Sequence, residues 1–169
     1  MPEPIMQTLK YIAASALLAC ATATFAHGNA SHAPADPATA VPPEQKAWGI
    51  AGDARPGLRT ITLRMTDDMR FEPDHFSVRQ GETLRLRVEN RGQILHEVVL
   101  GTAASLQEHA ALMLKFPGMA HAEPYMAHVA PGEREDLVWH FNRPGTFDFA
   151  CLIPGHYQAG MQGRFTVTP

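Results

Sequence analysis

Thr83-Leu-Arg-Leu-Arg-Val-Glu89 alternates without a break, with Leu84, Leu86 and Val88 on one side and Arg85, Arg87 and Glu89 on the other. A period of two is the side-chain period of an extended strand that packs one face and wets the other. A chain built round such a segment needs a second layer to cover the apolar face. The flanking sequence supplies more strands of the same kind. Thr60-Ile-Thr-Leu-Arg-Met65 alternates. Phe71-Glu-Pro73 interrupts it, and His75-Phe-Ser-Val-Arg79 runs to the turn Gln80-Gly81-Glu82. Asn90-Arg-Gly92 turns the chain into Leu95 to Leu100, and Asp136 to Phe141, Thr146 to Ala150 and Gly163 to Thr168 complete the set. Short strands with turn residues between them predict an all-β protein, an antiparallel Greek-key sandwich.

One segment departs from this period. From Ala103 to Phe116, Leu106, Ala110, Met113 and Leu114 recur at helical spacing, and Pro117-Gly118 ends the run. The sequence therefore predicts a short helical insertion over about residues 102–129, with an irregular flap after the helix.

The 169 residues leave room for one ordinary domain, of roughly 100 to 150 residues, plus an N-terminal extension. Residues 1–26 read as an export signal: Lys10 precedes an apolar, small-residue run, and Thr24-Phe-Ala26 offers small residues for cleavage. Leu17-Leu-Ala-Cys20 also resembles a lipobox, so lipidation at Cys20 is a second processing route. Residues 27–56, rich in Ala and Pro and bearing His27 and His32, read as a flexible linker. Residues 57–169 form the expected folded domain. The export signal implies the periplasm. No membrane insertion of the mature chain is expected unless Cys20 is lipidated. The formal net charge of −3 and the lack of a basic run point away from nucleic acid.

The chain has two cysteines, Cys20 and Cys151, and export removes or lipidates the first. A single thiol in an oxidising compartment is open to coupling and oxidation, and metal ligation explains its presence. Its surroundings favour that explanation. Cys151-Leu-Ile-Pro-Gly-His156-Tyr-Gln-Ala-Gly-Met161 places a thiol, an imidazole and a thioether on one short loop. Thiolate and two imidazoles with a weak thioether suit copper in both oxidation states, whereas zinc takes four firm N, S or O ligands and has little use for a thioether. The second imidazole must come from elsewhere, and His96 at the start of a strand is the candidate. Met113, Met119, Met126, His109, His121 and His128 gather in the insertion. They serve either packing or a second, weaker Cu(I) site.

Phe71-x-Pro73, Val78-x-x-Gly81-Glu82, Asn90-x-Gly92, His96 and Cys151-x4-His156-x4-Met161-x-Gly163 together resemble the cupredoxins, the blue copper proteins, over about residues 58–169. The resemblance extends to the periplasmic cupredoxins associated with copper resistance, and the loop spacing is similar to that of rusticyanin and auracyanin. It implies one type 1 copper ion, with His96, Cys151 and His156 equatorial and Met161 axial. It also implies that His156, on an apolar patch with Pro154 and Tyr157, is the exit for electrons. Glu97 stands where small cupredoxins often carry Asn. A binuclear copper A centre would need a second loop cysteine. Multicopper oxidases flank the cysteine with histidines, where this chain has Ala150 and Leu152.

These readings imply an exported, monomeric, non-enzymatic protein that binds one copper ion and cycles between Cu(I) and Cu(II). It would act in periplasmic electron transfer, in copper tolerance, or in both, with a redox or copper-handling protein as partner. Copper storage or delivery without electron transfer is one alternative. A metal-free interaction sandwich is the other.

Overall fold

The alternation in residues 83–89 is realised as a nine-residue strand, β5 (Glu82–Asn90), with Leu84, Leu86 and Val88 fully buried. The computed structural model describes residues 43–117 and 121–169. The export signal, Cys20, His27, His32 and Met119 lie outside them.

The other strands are β1 (Ile50–Ala51), β2 (Arg59–Thr66), β3 (Arg70–Glu72), β4 (His75–Arg79), β6 (His96–Gly101), β7 (Met126–Val129), β8 (Arg134–Phe141), β9 (Gly145–Ala150) and β10 (Gln162–Thr168). They form two five-stranded sheets, in the orders β1-β8-β5-β2-β3 and β4-β10-β9-β6-β7. Between the sheets lie Leu63, Met65, Trp139 and Phe141 from one side and Val98, Leu100, Phe149 and Phe165 from the other. Phe76 stacks on Phe165 at 5.3 Å between ring centroids, and Phe71 meets Phe149 edge to face at 5.0 Å. Such pairs add directional preference to the burial of large apolar area.

The sandwich stands, but it is not purely antiparallel. β2 runs parallel to β5, with Ile61 opposite Leu86, and β4 runs parallel to β10, with Phe76 opposite Phe165. Between β2 and β5 the chain crosses to lay β4 in the opposite sheet, and that excursion lets it return in the same direction. Alternation gives no notice of this, because the side-chain period is two in either kind of pair.

The linker expected over 27–56 overlaps chain that is packed. Trp48 is buried in the core and its backbone carbonyl accepts a 2.9 Å hydrogen bond from Trp139 Nε1. Ile50 and Ala51 pair with His140 and Trp139. One aromatic residue finding a slot beside Trp139 outweighs the loop-like composition around it.

The helix is α1 (Ala103–Lys115). Thr102 caps it: its hydroxyl accepts from Ser105 N–H at 3.1 Å, while Ser105 Oγ accepts from Thr102 N–H at 2.9 Å. This reciprocal pair satisfies donors that the first turn leaves open. Leu106, Ala110 and Met113 pack against Val99, Met126, Ala150 and Leu152, but Leu114 faces outward and is 55 % exposed. The segment expected to be an irregular flap up to Val129 instead ends in β7, which pairs with β6. β6 is buried along its whole length because one face meets the opposite sheet and the other meets α1.

Candidate metal centre

His96 opens β6, and Cys151 follows β9, its antiparallel neighbour, so sheet pairing brings the two together at one end of the sandwich. The loop after Cys151 is fixed largely by its own backbone. Cys151 N–H donates to the Met161 carbonyl at 3.1 Å, Met161 N–H to the His156 carbonyl at 3.1 Å, and His156 N–H to the Ile153 carbonyl at 2.9 Å. Gly155 and Gly160 take φ of 94° and 89°, a region that side chains disfavour, and so allow the loop to fold back.

The result is a convergent group. Ligand atoms of His96, Cys151 and His156 all lie within 4.8 Å of one another, with Cys151 Sγ 3.2 Å from His156 Nδ1. His96, Cys151 and Met161 are fully buried and His156 is 9 % exposed. Of the four residues singled out in the sequence, His96, Cys151 and His156 bring their donor atoms together. Met161 is joined to the other loop residues through its backbone.

Two features fit a metal ion. His96 Nδ1 is buried without a hydrogen-bond partner, and a ring nitrogen in that state is costly unless something coordinates it. The protein environment also holds the donors in contrasting states. Burial pushes the Cys151 thiol up to about 12, so thiolate formation there needs a nearby positive charge. Burial, and next the proximity of His96, hold the His156 imidazole below its usual range, in the neutral form that coordinates.

Around these donors lies a shell the sequence did not disclose. Glu97 N–H donates to Cys151 Sγ at 3.4 Å, while Glu97 Oε1 accepts from Leu152 N–H at 2.7 Å. Glu97, one residue on from His96, turns its carboxylate toward β7. There His128 Nε2 lies 2.8 Å from Oε2, without the alignment of a hydrogen bond. Desolvation raises the Glu97 carboxyl above its usual range, against the pull of His128. The buried Asn90 amide donates to the carbonyls of Ile94 and Val129, both at 2.8 Å, and its Oδ1 accepts from Gly92 N–H at 2.9 Å. The motif Asn90-x-Gly92 was legible as a turn, but its clamp across to β7 was not. Asp67, in the turn after β2, lies 3.0 Å from His96 Nε2. A hydrogen bond from Gln93 N–H, followed by that from His96, lowers its carboxyl below the usual range.

The sequence matches the family of copper binding proteins, plastocyanin/azurin, over residues 60–168. The chain belongs to that family. This cupredoxin is 49 % identical over 120 residues to the copper-resistant cuproprotein CopI of Rubrivivax gelatinosus, covering 71 % of this chain and 73 % of the relative. The CopI of Pseudomonas aeruginosa is 35 % identical over 161 residues, covering 78 % and 88 %. Among solved structures, auracyanin B superposes with a TM-score of 0.58 at 26 % identity, covering 70 % of this chain and 94 % of that one. The cupredoxin is thus a copper-binding, non-enzymatic protein homologous to copper-resistance proteins, and its His-Cys-His group is consistent with a type 1 site. Among the described residues, no helix is long and apolar enough to cross a membrane.

Proposed function

We propose that this cupredoxin is exported to the periplasm and holds one type 1 copper ion through His96, Cys151 and His156, with Met161 as a weak fourth ligand. Its role there is copper tolerance. The observation that carries this reading is the preformed group of three buried donors within 4.8 Å, one opening β6 and two on the loop that follows its neighbour β9. Bound copper supplies a one-electron couple. The protein contributes the rigidity: two sheet strands and a self-bonded loop resist rearrangement when the charge of the centre changes. CopI relatives support tolerance over a role confined to electron carriage.

The insertion supports the same reading. His109 Nε2 lies 2.8 Å from His121 Nε2, and the His121 and His128 rings are 5.8 Å apart. These imidazoles would hold a second, weaker Cu(I) ion. A role as electron carrier is favoured by a different observation. Ile94 and Leu95, 42 % and 47 % exposed, lie beside His96 and offer an apolar face to a redox partner. Carriage and tolerance are compatible, and the partner would be a periplasmic redox or copper-handling protein.

The visible spectrum of the mature protein after addition of Cu(II) tests the centre, with Cys151→Ala as control. An intense thiolate-to-copper band that vanishes in the variant is the expected result. Absence of the band from folded, reduced protein would sink the type 1 reading.

A further inference from the structure

We propose that Asp67 is a positioning residue of the copper centre: its carboxylate fixes the His96 ring with Nε2–H directed away from the metal and leaves Nδ1 as the ligand atom. This rests on the ligand set proposed above.

The geometry is specific. Of the two His96 ring nitrogens, Nε2 lies 3.0 Å from Asp67 Oδ1, whereas Nδ1 is buried with no partner. An ionised carboxylate only accepts, so Nε2 must carry the proton, and the lone pair of the neutral ring is then on Nδ1. The second carboxylate oxygen is also engaged. Oδ2 accepts from Gln93 N–H at 2.8 Å, which ties the turn after β2 to the segment leading into His96. Gly92 makes room for this contact, since a Cβ there would collide with Asp67 Oδ1. The strand that follows this turn reaches the ligand loop: Arg70 Nη1, at the start of β3, donates to the Ala159 carbonyl at 3.1 Å, between His156 and Met161. Residues 67–70 thus brace both segments that carry donors.

A carboxylate behind a ligating imidazole also changes the electronics. It makes the ring a stronger donor and adds negative charge near the metal, and both effects favour Cu(II) over Cu(I). Outer-shell partners of this kind commonly change metal affinity by about tenfold or more. Asp67→Asn removes the charge and keeps one acceptor. It should weaken Cu(II) relative to Cu(I) by about tenfold, a rise in reduction potential of about 59 mV for one electron, with the type 1 band retained. Asp67→Glu, which restores the charge, should recover part of that shift.

The test combines potentiometry of the copper-loaded protein with nitrogen NMR of His96 in the copper-free protein. The expected results are the upward shift in Asp67→Asn, and a protonated Nε2 in the wild type whose preference is lost in Asp67→Ala. An unchanged potential in Asp67→Asn, or a wild-type ring protonated on Nδ1, would overturn the proposal even if Asp67→Asn lowers the melting temperature. Failure of the ligand set looks different: the wild type itself would lack the thiolate band, while the copper-free NMR would still report on the contact between Asp67 and His96.

Discussion

The ligand loop and the helical insertion flank the same strand, β6, on opposite edges, and they differ in what holds their imidazoles. On one edge, β9 leads into Cys151 and a loop closed by its own backbone hydrogen bonds. On the other, β7 pairs with β6 through its backbone as well, but the imidazoles of the insertion are engaged by side chains: His109 with His121, and His128 with Glu97. Backbone hydrogen bonds survive most substitutions, whereas a contact between side chains is lost with either partner. The copper centre proposed above is built the first way, and the imidazoles of the insertion are held the second.

Asn90 and Leu106 break the two regions separately. Asn90→Ala strands the Gly92 N–H and the Ile94 and Val129 carbonyls beside the His96 segment. It should destabilise the copper-free protein by about 4 kcal/mol, read by denaturant titration, and broaden the type 1 spectrum. Leu106→Ala opens the contact of α1 with β6 and β9. The expected loss is about 3 kcal/mol, with the visible band in place, because the loop does not depend on the helix for its hydrogen bonds. A Leu106→Ala protein with a displaced band would mean that the two regions are one mechanical unit.

A smaller effect sharpens the contrast through pH. Burial, followed by the nearby His121 and His128, holds the His109 imidazole below its ordinary range. A histidine whose folded value is depressed favours folding above its unfolded value, about 6.5, and that contribution is lost as pH falls toward the folded value. The melting temperature of the copper-free protein should therefore drop on acidification below that point, and His109→Gln should flatten the drop without removing it, since His156 is depressed too. The same variant should leave the visible band unchanged and lower the Cu(I) stoichiometry. A shifted band would join the insertion to the centre.

The long strands and the ligand loop were legible for a local reason. Alternation from Leu84 to Val88 and the spacing from Cys151 to Met161 are carried within single segments. Leu106, Ala110 and Met113 announced the helix in the same way, and only Leu114 was placed on the wrong side. β7 was missed because Met126-Ala-His-Val129 is too short to display a period and becomes a strand only by pairing with β6.

Sequence alone thus determined that the chain forms a sandwich and that Cys151, His156 and Met161 share one short loop, because side-chain period and loop spacing are properties of neighbours along the chain. Tertiary structure alone decided the parallel pairing of β2 with β5, the burial of Trp48, and the placing of Asp67 behind His96 and of His128 against Glu97. These join residues 25 or more positions apart, or depend on which strand edge is free, and no local pattern records either.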